Sequence, residues 1–446
     1  MDTERQKLGV LVIGRKRPGW DQEWSATIRK TALGSLASLG FDCIGAESPV
    51  IDDQTIAAAL DRIHQDKCKA LVVLQPSLGH GQLAFAVMQG WDGPVVLWAT
   101  PERQDVEKVS SCSLVAQHLW AATLRQSNHP FEFVYGHPDD ATVRASLQQA
   151  IGLSQAATSL RTMKIGMVGS HAPGFVSMQA DPFTLRRELG VQLHDLSLPL
   201  FIDRVRGIDE RAVRDDIAKT RSLKINTRGA LDDDLAVQSR YYLAMLDLMK
   251  EEALDGMSLQ DWPELPNVIG QWPYLAMSRL ADEGQAVAME GDVDSAILTL
   301  LGKQIGAGVS FITDWLEHDD QTIHMWHAGT APLGMLENAA LGPHFNIDKP
   351  LVVNGALKVD QPVTLARLWR CDDRYHATAF EGRTIPLKRK LSGNQALIQV
   401  DGGGVYNWFD TLCHAGMPHH PVMFVGHHRE RFRRLARLIG INWLEK

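Results

Sequence analysis

A chain of 446 residues is too long for one ordinary hydrophobic core, so two or three packed domains are expected. With 45% hydrophobic and 22% charged residues the composition is that of a soluble globular protein, and a formal charge of −8 argues against the basic face that nucleic acid requires. Cys43, Cys68, Cys112, Cys371 and Cys413 are odd in number, widely spaced and without a CxxC pair, which fits free thiols in a reducing compartment. No apolar run approaches the roughly 20 residues of a membrane span. The N-terminal LGVLVIG is bracketed by charges and reads as a buried strand, so the cytoplasm is the expected location and no membrane partner is expected.

The first third alternates regularly. LGVLVIG (8–14) is followed by a helical stretch from about Asp21 to Leu39, and FDCIGAES by helical spacing in TIAAALDRIHQ (55–65). ALVVLQPS (70–77) and PVVLWAT (94–100) are further apolar strands, with a helical segment between them. Continuous Val/Leu runs separated by amphipathic helices predict a parallel sheet covered on both faces. A second start comes at MKIGMVGS (163–170), continues through VQLHDLSL and a long helix over 232–253, and reaches the strand-like ALDGMSL and AVAMEGD, with a helix beginning near Asp292. After PHFNIDKP the texture changes to short β-type segments separated by turn residues, LVVNGALKVD, PVTLARLWRC, YHATAFEGRTI and ALIQVDG, which suits an antiparallel sheet or barrel. The expected fold class is α/β: two Rossmann-like doubly wound domains, 1–160 and 161–343, then a small antiparallel β-barrel-type domain, 344–446. The closing HRERFRRLARLIGI reads as a basic helix with a core-facing stripe of Phe432, Leu435, Leu438 and Ile439.

The chain has no GxxxxGK[ST] loop, no GxSxG elbow and no HExxH helix. GHGQLA imitates a dinucleotide fingerprint, but it follows the third strand, and Gly79 and Gly81 read as turn glycines. Glu290 ends the apolar strand AVAM, where ligand groups of α/β sheets gather, and Asp314 ends another apolar stretch, VSFIT. A parallel neighbour strand would bring both carboxylates to one rim, and two close carboxylates make a cation between them attractive. On spacing alone each is equally well a helix N-cap or a surface charge. His419 and His420 precede another strand-like run, where alternation turns at most one of them towards a given site, and it also places His324 and His327 on different faces.

These residues resemble the L-fucose and L-arabinose isomerase superfamily over the whole chain. The resemblance rests on LVVLQPS and VVLWATPE, on IGMVGSHAPGF, and above all on the ordered set DWPEL, SRLADEG, MEGDVDSAI, FITDW and WHAGTAP, completed by DGGGVYNWFDTL and MPHHPVMFVG. It implies that Glu290, Asp314 and His420 bind a divalent metal, most readily Mn2+ with Mg2+ or Co2+ as alternatives, and that Glu290 and Asp314 also transfer protons. It leaves His327 as either a metal ligand, as in the arabinose branch, or a substrate contact. It further implies a homotrimer or homohexamer in which the N-terminal domain of one subunit reaches the active site of another. One departure is Asp261, where many compact relatives read CWPEL in place of DWPEL.

The implied function is a metal-dependent aldose–ketose isomerase acting on an open-chain sugar through an enediol(ate). On the substrate side His171 sits in the loop GSHAPGF, Gln75 ends a strand, and Trp262 and Trp326 offer stacking faces among twelve tryptophans. Arg15 and Arg17 follow the first strand and point to an anionic sugar, sulfonated or phosphorylated. The rival readings are a non-catalytic sugar-binding or regulatory protein and a metal-dependent aldolase or epimerase, which would use the same enediolate stabilisation.

Overall fold

A computed structural model describes residues 5–15, 20–223, 225–346 and 349–446. The chain divides into two compact units, one of residues 1–160 with 437–440 and one of residues 161–436 with 441–446.

The N-terminal unit is built on a parallel sheet of β1 (Gln6–Val12), β2 (Phe41–Ile44), β3 (Leu71–Leu74), β4 (Val95–Ala99) and β5 (Phe131–Tyr135), in the order β2-β1-β3-β4-β5. Its central strands read as uninterrupted apolar runs because helices cover both faces: every residue of LVVL and of VVLWA is buried. The helices start at polar caps, Asp21 for Gln22–Ser38 and a reciprocal Asp52–Thr55 capping box for Asp53–Gln65.

After β4, Glu102 accepts from the N–H groups of Ser110, Ser111 and Cys112 and from the hydroxyls of Ser110 and Ser111, at 2.6–2.8 Å. Burial pushes this carboxyl up, but the five donors outweigh it and bring it down to about 2 from an ordinary 4.5. A depressed carboxylate stabilises the fold above its unfolded pKa and loses that contribution as pH falls through the folded value. After discounting for partial exposure, Glu102→Gln should therefore cost about 1–2 kcal/mol at neutral pH. Paired urea melts should show the gap between variant and parent narrowing as pH drops from 4.5 towards 2.

The second unit holds two sheets. Parallel β6 (Lys164–Val168), β7 (Gln192–Leu196), β8 (Gly256–Leu259) and β9 (Ala286–Ala288) run in the order β7-β6-β8-β9. The other is a ten-stranded, largely antiparallel sheet among the described residues. Its strands are β10 (Ser310–Ile312), β11 (Asp314–His318), β12 (Thr322–His327), β13 (Leu336–Gly342), β14 (Val352–Leu357), β15 (Pro362–Cys371), β16 (Arg374–Ile385), β17 (Asn394–Val400), β18 (Val422–Val425) and β19 (Asn442–Trp443). The main path runs β10-β18-β15-β16-β17-β12-β11.

One expectation fails here. VSFIT does not continue a parallel sheet: β10 pairs antiparallel with β18, Ser310 opposite Phe424, so the antiparallel sheet begins well before the texture change at 344. A three-residue buried strand carries no sign of its partner's direction, and the partner lies more than a hundred residues further on. The core of this sheet gathers Phe311, Ile323, Met325, Leu365, Phe380, Ile398 and Met423, all but fully buried.

Candidate active site

Glu290 leaves β9 through an unusual turn. Its own φ is +61° and that of Gly291 is +77°. A side chain at 291 could not fit, since a Cβ would stand 2.4 Å from His171 Cα and 2.6 Å from Ser170 O. The loop after β6 thus packs directly on this turn, and Ala172 N–H donates to Glu290 O at 2.9 Å. The Glu290 carboxylate accepts from Trp262 Nε1–H through Oε1 at 3.0 Å, which turns Oε2 the other way.

Asp314 arrives from the antiparallel sheet. Between β10 and β11, Thr313 N–H donates to Pro421 O (3.0 Å) and Trp315 N–H to His419 O (3.3 Å). These bonds clip Asp314 beside the segment before β18, so the two carboxylates meet although they do not end neighbouring strands of one parallel sheet. His420 Nε2 lies 3.2 Å from Glu290 Oε2 and 3.5 Å from Asp314 Oδ1. His419 Nε2 lies 3.8 Å from each of the same carboxylates. Both histidines therefore face the site, against the expectation from alternation: they lie in a loop closed by Pro421, where the strand rule does not operate.

His420 is fully buried, and its Nδ1 is 2.9 Å from Asp292 Oδ2. Asp292 also caps the helix Val293–Gln304 and accepts from the two terminal nitrogens of Arg367, Nη1 at 2.7 Å and Nη2 at 3.2 Å. Asp292 and Arg367 are each 1% exposed, a buried ion pair that fixes the ring behind the site. Since Asp292 takes the Nδ1 proton, Nε2 is the nitrogen that His420 turns towards the carboxylates, and a cation bound there would take the place of its proton. His327, at the end of β12, is arranged the opposite way. Its Nδ1 accepts Ala328 N–H at 2.8 Å, so the ring proton sits on Nε2. His324 points elsewhere, between Glu317 and Gln395, as strand alternation requires.

Three buried polar atoms in this space have no hydrogen-bond partner: Glu290 Oε2, His327 Nε2 and His420 Nε2. Ligand atoms of Glu290, His327 and His420 lie within 4.8 Å of one another, as do those of Asp314, His419 and His420. The electrostatics favour positive charge. Burial lowers the His420 imidazole, but Asp292 and Glu290 outweigh it and raise it to about 10. Burial likewise pushes the Glu290 carboxyl up, while His419 and His420 hold it well below the usual range. Orphaned oxygen and nitrogen atoms around a space that stabilises positive charge are a donor set that could hold a divalent cation.

Of the residues expected on the substrate side, His171, His327 and Trp262 lie at or against this cluster, and Phe175 adds an edge-on ring to both Trp262 and His419. Trp326 stacks beside His327, with its Nε1–H given to Ser392 O. Gln75 and Arg15 belong to the N-terminal unit. Gln75 is fully buried, bonded to Gln117 and to Gly79 N–H, so its carboxamide is committed within that unit. Arg15 lines a cavity of about 690 Å³ at the ends of β1 and β3, together with Ser25, Arg29, Lys30 and Ser77. Arg17 lies outside the described residues. Asp292 and Arg367 were not singled out from sequence: an Asp opening a helix reads as a cap, and Arg367 is merely one of the residues of a strand. No helix among the described residues is long and apolar enough to cross a membrane.

Residues 9–160 match the family described as the fucose/sulfoquinovose isomerase N-terminal domain. A sulfoquinovose isomerase of Priestia aryabhattai is 22% identical over 445 residues, 98% of both chains, and one of Alkalicoccus urumqiensis is 22% identical over 84% of this chain and 86% of its own. An L-arabinose isomerase of Thermotoga neapolitana is 25% identical over 59% of this chain and 55% of its own. The chain is thus similar to isomerases of the fucose/arabinose type, over residues 9–160 by family and along nearly its whole length by the Priestia relative.

Proposed function

We propose that the Glu290–Asp314–His420 cluster is the active site of an aldose–ketose isomerase that works with a divalent cation, Mn2+ before Mg2+ or Co2+. The isomerase class is carried by relatives that match along nearly the whole chain, and neither a sugar-binding protein nor an aldolase is favoured by them. The observation that carries the site is the convergence of orphaned Glu290 Oε2 and His420 Nε2 next to Asp314. Glu290, Asp314 and His420 are the ligands this reading assigns. A cation bound there supplies Lewis-acid stabilisation of the negative charge that develops beside the sugar carbonyl.

The chain's own groups do the rest. Removing the C2 proton leaves its electron pair to form the C1–C2 double bond, and O1 takes up a proton. Releasing the O2 proton and adding one to C1 then completes the ketose, so mass is conserved. Glu290 and Asp314 are the bases for these transfers, acting as a coupled pair. His327, with its proton on Nε2, is a hydrogen-bond donor to a sugar oxygen in this reading and not a fourth ligand. His171 and Trp262 border the sugar. The anionic substrate reading, a sulfonated aldose such as sulfoquinovose, is supported by the names of the relatives that match along most of the chain.

The test is a chelator-treated, manganese-restored assay over sulfoquinovose, L-fucose, L-arabinose and D-arabinose in deuterated water. Ketose should form only with metal, fastest from sulfoquinovose, and carry deuterium at C1. Turnover without any metal would overturn the cation, ketose without deuterium would replace proton transfer with a hydride shift, and a preference for a neutral sugar would overturn the anionic substrate.

A further inference from the structure

Residues 261 and 262 hold Glu290 from two sides. Trp262 takes its carboxylate, and Asp261 takes its backbone: Glu290 N–H donates to Asp261 Oδ1 at 2.6 Å. The other Asp261 oxygen accepts the hydroxyl proton of Tyr274 at 2.8 Å. Asp261 is fully buried and Tyr274 nearly so, and no arginine or lysine pairs with this carboxylate among the described residues. An interior carboxylate without a cation is an expensive way to satisfy two donors. It stands at a strained turn: Glu290 is in the left-handed region, disfavoured for any residue with a Cβ. The turn is otherwise held by Ala172 N–H on Glu290 O and by Gly291 N–H on Leu259 O at 3.1 Å. With its N–H, its C=O and one carboxylate oxygen all bound, Glu290 keeps only Oε2 uncommitted.

We propose that Asp261 is a positioning residue for the isomerase site, clamping the left-handed turn so that Glu290 Oε2 is held ready for the cation and the sugar before either arrives. The inference rests on the function proposed above. What the clamp needs is an acceptor at Oδ1 and a partner for Tyr274 at the second atom. Asn meets both demands, because its carbonyl accepts Glu290 N–H and its NH2 donates to the Tyr274 oxygen while the phenol turns its proton away. Ala meets neither and leaves the Glu290 N–H without an acceptor.

The experiment compares Asp261→Ala, Asp261→Asn and Tyr274→Phe with the parent in the full chain. Three quantities are read: Mn2+ affinity by electron paramagnetic resonance without sugar, kcat and KM separately, and the melting temperature in chelator. Asp261→Ala should weaken Mn2+ binding at least tenfold and lower kcat on the order of 10- to 100-fold, with KM moved less than about threefold. Asp261→Asn should stay within about fivefold of the parent in both, and Tyr274→Phe should fall between. Parent-like Mn2+ binding and kcat in a folded Asp261→Ala protein would overturn the clamp. So would an Asn variant as damaged as the Ala variant, because the charge and not the acceptor would then matter. If Asp261→Ala does not fold, Tyr274→Phe and Asp261→Asn decide by the same readings. Glu290→Gln serves as the control for the underlying reading: unchanged Mn2+ affinity there would remove Glu290 from the cation site and leave the clamp untouched as geometry.

Discussion

Glu290→Gln should abolish isomerisation while leaving the protein at least as stable as the parent. The substitution keeps the shape, and the side-chain carbonyl can still accept Trp262 Nε1–H in place of Oε1. With Glu290 neutral, one of the two carboxylates that raise the His420 imidazole is gone, so Nε2 can release its proton and accept from the new NH2 group, which replaces Oε2 at 3.2 Å. A buried, orphaned anionic oxygen becomes a satisfied neutral donor, so the melting temperature measured in chelator should hold or rise. On the mechanism proposed above, the same change removes one ligand charge and one proton carrier, and it occupies His420 Nε2. A loss of about 10³-fold or more in kcat/KM is expected, since positioned acid–base groups alone contribute roughly 10²–10⁴. Steady-state kinetics on the preferred sugar beside a melt of the same preparation would check both halves. More than about a tenth of parent activity would take Glu290 out of the chemistry.

That opposition between stability and activity explains which parts of this protein could be read in advance. The parallel strands were legible because β1, β3, β4 and β6 are near-continuous apolar runs set between helices, a local pattern that needs no knowledge of partners. The short segments β14 to β17 were legible from the turn residues that separate them, again a local pattern. β10 was misassigned because direction is decided by pairing with β18, far along the chain. In the site, Glu290, Asp314 and His420 stood out through the family motif, and the structure brings all three to one space. His419 was set aside by a strand rule that a proline-closed loop escapes. Asp292 and Arg367 carry no local mark, and Asp261 stood out only as a departure from the family motif. Each looks like a turn, a cap or a strand residue until the fold shows what it touches, and the functional information lies in the contact.

The larger effect on the fold is expected at Asp292. Its carboxylate carries three tasks at once: it caps the helix Val293–Gln304, neutralises Arg367, and takes the Nδ1 proton of His420. Burial pushes its carboxyl up, but Arg367 and His420 hold it far below the ordinary range, so it is anionic at neutral pH. Asp292→Asn keeps the outline but strands the Arg367 guanidinium in the interior, which should cost about 3–5 kcal/mol. It also sets an amide where the imidazole needs an acceptor, freeing the ring to rotate or change tautomer and weakening cation binding about 10–100-fold. The two losses separate in a double variant. Adding Arg367→Met removes the unpaired charge and supplies an unbranched apolar side chain in its place, so urea melts should recover most of the lost stability. Mn2+ titration should show little such recovery, because the neutral amide at position 292 holds the His420 Nδ1 proton less firmly than the carboxylate and its NH2 favours the other tautomer. If cation affinity returned along with stability, the Asp292–His420 bond would be a by-product of packing, and orientation of the imidazole would have to come from elsewhere.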